Sequence, residues 1–164
     1  MKNVVTIPIE FQLTAKSLAL IEVLSKIDQE PAAAEPAAAI AIPAIGSRIR
    51  GGIYAGLSRG EDGAPDAHII LLDDVPSEKL NWADAVKWAE GPGNGARLPT
   101  RFESALLYAN VRDQLVTDEW HWTGTQYSAG NAWMQNFGNG TQSYYDKNDT
   151  GRARAVRRLN SLVL

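Results

Sequence analysis

Residues Glu119 to Leu159, EWHWTGTQYSAGNAWMQNFGNGTQSYYDKNDTGRARAVRRL, decide how the chain is read. They hold three of the five tryptophans, are dense in Tyr, Asn, Gln, Ser and Gly, and close on Arg152, Arg154, Arg157 and Arg158. Within them, AWMQNF alternates Trp133, Gln135 and Phe137 with Met134 and Asn136. A period of two sends the first set to one face of a strand and the second to the other. With Trp133 and Phe137 turned to the core, Met134 and Asn136 face out. From Gly138 to Gly151 the chain is almost wholly polar and aromatic. Such a segment has nothing with which to build a core, so it is expected to be irregular and to display Tyr144 and Tyr145. Tyr supplies rigid amphipathic area, and Ser, Asn and Gly supply adaptable hydrogen bonding, which is the chemistry of recognition surfaces. A recognition surface is the first expectation.

The totals bound the rest. A chain of 164 residues, 45% hydrophobic and 21% charged, suits one compact domain plus an appendage. A formal net charge of -3 argues against general nucleic-acid binding, which needs a basic field. Without cysteine there is no disulfide, thiolate zinc site or cysteine nucleophile. MKNVVTIPIEFQL has one lysine and no long apolar run, so the expectation is cytoplasmic synthesis without a signal peptide and no membrane insertion. Export would then need a carrier such as a virion.

In chain order, Val4 to Ile9 reads as an edge strand interrupted by Pro8, and Thr14 caps a helix over AKSLALIEVLSKI. Its apolar stripe, Leu18, Ile21, Leu24 and Ile27 with Leu20 and Val23, needs cover from the main domain or from a second copy, making a homo-oligomer. Two tandem EPAAA pentapeptides follow as a semi-rigid spacer. The expected division is an appendage over 1–29, a linker over 30–44 and a domain over 45–164. In the domain, GGIYAGL (Gly51 to Leu57) and AHIILL (Ala67 to Leu72) read as strands joined by a solvated turn, with His68 structural. WADAVKWAE (82–90) reads as a helix presenting Trp82, Val86 and Ala89. Thr100 and Glu103 form a capping box for the next helix, with Phe102, Leu106 and Ala109 inward. Trp120 and Trp122 are expected inside and His121 outside. A last strand spans Ala153 to Leu159, its arginines tied to carboxylates such as Glu103 or Asp113. The sum is an α+β domain with two helices and a small antiparallel sheet.

The segments LNWADAVKWA, ARLPTRFESALLYA, WHWTGTQYS and NAWMQNFGNGTQSYYDKNDTGRARAVRRL together resemble bacterial and phage domains of the C-type-lectin-like fold. The likeness is to the DUF1566 group and to the variable proteins of diversity-generating retroelements. It implies a scaffold of Trp133, Phe137, Gly140, Gln142, Lys147 and the RARAVR ending. It implies a ligand-binding set at Gln126, Tyr127, Asn131, Met134, Asn136, Asn139, Thr141, Ser143, Tyr144, Tyr145, Asp146, Asn148 and Asp149. The RLPT…E segment, Arg97 to Glu103, is also similar to formylglycine-generating enzymes, whose chemistry needs cysteines that this chain lacks. The Glu-Pro-Asn or Gln-Pro-Asp loops of calcium-dependent sugar-binding relatives are also missing. No cofactor or metal is expected.

The expected function is therefore a binding module, not an enzyme, carried by a phage or prophage and holding a host surface protein or glycan. The alternative is an intracellular prophage protein that occupies a host enzyme or defence complex. Catalysis needs a nucleophile with its base, or a metal with its ligands, and two histidines isolated in sequence make neither.

Overall fold

A computed structural model describes residues 42–160; the expected appendage and all of the linker before residue 42 lie outside the described residues. The described chain is an α+β unit of two helices and two antiparallel sheets. One sheet has the order β1-β2-β3-β7, from β1 (Arg48–Ile49), β2 (Gly52–Ser58), β3 (Ala67–Leu72) and β7 (Val156–Leu159). The other has the order β4-β5-β6, from β4 (Trp120–Gln126), β5 (Asn131–Asn136) and β6 (Gln142–Asp146). Between β3 and β4 come α1 (Trp82–Glu90), α2 (Arg101–Val111) and a 3-10 turn, Arg112–Gln114.

The apolar runs of β2 and β3 make sense because the first sheet is covered on both faces. Tyr54, Ile70 and Leu72 join one core with Ala85 and Ala89 of α1 and with Trp122, Ala132 and Met134. Ile53, Ala55, Ile69 and Leu71 join a second core with Leu107 and Val111 of α2 and with Phe137. The β2–β3 register slips at Tyr54/Gly56, and Asn110 of α2 donates its side-chain amide to the Ala55 carbonyl beside the slip, at 2.7 Å.

The capping box forms as expected: Thr100 Oγ1 accepts from the Glu103 N–H at 3.2 Å, and the Glu103 carboxylate accepts from the Thr100 N–H at 2.8 Å. That carboxylate is fully buried and also receives both terminal nitrogens of Arg97, at 2.7 and 2.8 Å, with Arg158 at 3.5 Å. Drawing Glu103 inward sets the rotation of the helix. Its buried face is Glu103, Ser104, Leu107 and Val111, while Phe102 and Ala109 are exposed and Leu106 is half-buried, correcting the expected face.

Three other expectations are overturned. The span Gly138 to Gly151 is not wholly irregular, since β6 runs through it and pairs with β5 from Asn131↔Asp146 to Gln135↔Gln142. The last strand starts at Val156 rather than Ala153, and just before it Gly151 and Arg152 bridge to Leu80 and His121. The phase of β4 and β5 also differs: Met134 and His121 are buried, and Trp133 and Trp120 are only half-buried. Both strands are covered on two faces, so alternation alone could not say which face lies deeper. Of the arginines, Arg158 meets Glu103 as expected, Arg152 pairs with Glu119, and Arg154 donates to the carbonyls of Leu72 and Gln114.

His121 packs edge-on against Phe137 at 4.9 Å and bonds the Glu119 carbonyl through Nδ1 at 3.2 Å. Burial pushes its imidazole down to about 4, against the hydrogen bond to Glu119, and the Arg154 and Arg152 cations lower it further. In the unfolded chain it titrates near 6.5, so between these values the unfolded state binds a proton that the folded state refuses. Stability therefore falls as pH drops through that window, by on the order of 3 kcal/mol in all. Hydrogen bonds from Arg152 and Lys79 hold the Glu119 carboxylate down at about 2, so its contribution is present above 4.5 and fades between 4.5 and 2. The expected result is that His121→Gln flattens the upper part of the acid arm, read by urea unfolding at a series of pH values. An unchanged slope would assign that acid sensitivity elsewhere.

Candidate functional site

The candidate site is built on one face of the β4-β5-β6 sheet. Trp133 and Tyr144 are direct cross-strand partners, which puts both side chains on the same face. Tyr127, just past β4, is folded back by hydrogen bonds from its own N–H and that of Ser128 to the Asn131 carbonyl, at 2.9 and 3.1 Å. Its ring then lies parallel to that of Tyr144, with centroids 3.8 Å apart and planes within 5°. Both meet Trp133 edge-on, at 5.6 and 5.7 Å. Such pairings contribute about 0.5–1.5 kcal/mol each beyond area burial, enough to hold three rings in one arrangement. Tyr127 and Tyr144 nonetheless stay 52% and 46% exposed.

Arg101, the first residue of α2, closes this cluster from the side. Its guanidinium carbon sits 3.8 Å from the Trp133 ring centroid, and its Nε donates to Gln142 Oε1 at 3.2 Å. Gln142 returns the contact, donating to the Arg101 carbonyl at 2.6 Å and to Gln135 Oε1 at 2.8 Å. The Arg101 N–H is itself held by Thr125 Oγ1 at 3.0 Å. The rings therefore rest on a hydrogen-bonded floor. The neighbouring Tyr144 phenol raises the Tyr127 phenol above its usual value. Beside the cluster, Lys147 donates to Gln126 Oε1 at 2.7 Å and to the Ala129 carbonyl at 2.9 Å, and lies 4.5 Å from the Trp82 ring centroid. It pins the β6 end of the sheet to α1.

The expected ligand set divides under this geometry. Tyr127 and Tyr144 come together, with Asn131 and the exposed Gln126 and Asp146 around them. Met134 does not belong: it is buried in the core and is the cross-strand partner of Trp122. Tyr145 is half-buried against Trp120, with ring centroids 5.1 Å apart, and Ser143, opposite Met134, is half-buried on the same inward-facing side. Asn136 and Asn139 accept from backbone N–H groups in the β5–β6 turn, which passes through Gly140 at a φ of 79°. Asp146 accepts likewise from Asn148, and their side chains bond each other. Thr141, Asn148 and Asp149 are exposed, on the turns at either end of β6.

Sequence reasoning missed Arg101, Phe102 and the outward face of Trp133. The capping box held the signal for the first two, since drawing Glu103 inward rotates Arg101 and Phe102 away from the buried face that Glu103 shares with Ser104. Among the described residues, no group of three or more His, Asp or Glu side chains is placed to hold a metal ion. His68 spends Nδ1 on the Tyr54 hydroxyl at 2.8 Å. Among the described residues, no helix is long and apolar enough to cross a membrane. Compared with known proteins, the chain matches no family model, and no curated protein is similar to it in sequence.

Proposed function

We propose that the chain is a ligand-binding module of the C-type-lectin-like kind, related to DUF1566 and retroelement variable proteins. In this reading a phage or prophage supplies it, and it holds a host surface protein or glycan on the face carrying Tyr127, Trp133 and Tyr144. The observation that carries the reading is the stacked Tyr127–Tyr144 pair, half in solvent yet fixed by Trp133 and Arg101. Rings that build only a core are covered, whereas exposed rings already held in place lose little freedom on binding. The two helices and two antiparallel sheets are compatible with that fold.

The test is to screen the intact chain, labelled, on bacterial cells, on their surface-protein fractions and on a glycan array. The double variant Tyr127→Ala/Tyr144→Ala is expected to weaken binding by about 2 kcal/mol or more, roughly thirtyfold, while the domain stays folded at a lowered melting temperature. Binding that survives the double substitution, or a fold that does not, would remove the reading. Mass spectrometry of purified virions against infected-cell cytosol then separates display on a particle from action inside the cell.

A further inference from the structure

Resting on the binding-module reading, this inference concerns the chemistry of the partner. Arg101 joins the aromatic cluster to a second feature. While one side of its guanidinium lies on Trp133, its carbon is also 5.7 Å from the Phe102 ring centroid. Phe102, Leu57 and Leu106 line an open groove of about 440 Å³, with Arg59 and Glu61 also in its lining. Phe102 is 59% exposed and Leu57 52%. Side-chain contacts therefore run from the exposed Tyr127 and Tyr144 rings, through half-buried Trp133 and Arg101, to Phe102 at the edge of this groove. Contiguous patches of this kind mark interaction sites, whereas scattered apolar residues need no explanation.

The charge at its centre is unbalanced. Arg101 Nε donates to the neutral Gln142 amide, and among the described residues no carboxylate lies within ion-pairing distance of it. A planar cation held by two rings is a preformed acceptor site for a carboxylate, which it can meet with paired N–H groups. The rings are partly spent on one another, since Tyr127 and Tyr144 each cover one face of the other and Arg101 covers one face of Trp133. The charge of Arg101 and the apolar groove beside it are what favour a peptide over a sugar. We infer that the surface takes a protein segment in which an acidic side chain meets Arg101 while a neighbouring Leu, Met or Phe enters the Leu57–Phe102–Leu106 groove.

The probe is a displayed library of random linear peptides, panned on the intact chain beside a printed glycan array. Enriched ligands are measured on the wild type and on Arg101→Gln, Phe102→Ser and Tyr144→Ala, each first shown to be folded by thermal melting. Should Arg101→Gln not fold, Arg101→Lys, which keeps the charge without the planar fork, takes its place. The expected result is peptides with Asp or Glu close to an apolar residue. Their binding should weaken with salt and fall about tenfold or more on both Arg101→Gln and Phe102→Ser. Peptides that need Tyr144 but bind those two variants as tightly as the wild type would overturn this inference and leave the binding-module reading standing. Glycans that need Tyr144, with no peptide enriched, would do the same. Absence of any Tyr144-dependent ligand would overturn both.

Discussion

Glu103→Ala is expected to cost about 3–5 kcal/mol of folding stability, enough to lower the melting temperature by roughly 10 °C or more. The carboxylate has no exposure at all, accepts from Arg97 twice and from the Thr100 N–H, and forms a longer ion pair with Arg158. Removing it leaves two guanidinium groups facing each other over an empty space, with the cap of α2 opened as well. Their side chains keep 31% and 23% of their exposure, so water can partly rehydrate them, which favours the lower half of the range. The damage also spreads, because the Arg97 backbone pairs with Val156 in both directions, at 3.0 and 2.8 Å, and so helps hold β7. Glu103→Gln keeps the shape and can still accept from Thr100, so it should fall between the alanine variant and the wild type. Urea unfolding of the three proteins checks the order. A loss under about 1 kcal/mol for alanine would mean that desolvation of the triad cancels its attraction.

That carboxylate also shows where sequence reasoning succeeds and where it stops. Strand β3, helix α1 and the Thr100–Glu103 box were legible because each is a local rule: a β-branched run, an amphipathic period closed by glycine, a hydroxyl and a carboxylate three residues apart. The strand β6 was not legible. QSYYD has no apolar alternation of its own, and its pairing is set by β5 and by the Asn136, Asn139 and Gly140 turn. The same limit governed the site. Tyr127 and Tyr144 were correctly expected at the surface, but their stack on Trp133 depends on a fold-back at Asn131 and on Arg101 arriving from another element. Contacts of that range leave no period in the sequence. In AWMQNF the alternation was read correctly and Phe137 is buried as expected, but Met134 is buried too and Trp133 only half, since a strand with both faces packed carries apolar groups on each.

Met134 makes that difference measurable. In the surface reading it tolerates substitution and affects only what the domain binds. In the structure it is 3% exposed, opposite Trp122, with its terminal methyl pressed where a side chain at Gly151 would stand. Met134→Ala should therefore cost about 2–5 kcal/mol, and Met134→Asp, which buries a charge with no partner, should leave no cooperative fold. Tyr144→Ala, 10 positions along and on the opposite face of the sheet, should cost less, about 1–2 kcal/mol, because the two ring contacts it gives up, with Tyr127 and Trp133, lie at an exposed edge. Thermal and urea melts of the three variants separate the two readings cleanly. If Met134→Asp melts like the wild type, the side chain faces solvent, the phase of β5 is the other one, and Trp133 lies in the core. The aromatic cluster would then lose its centre, because Tyr127, Tyr144 and Arg101 all meet the outward face of Trp133.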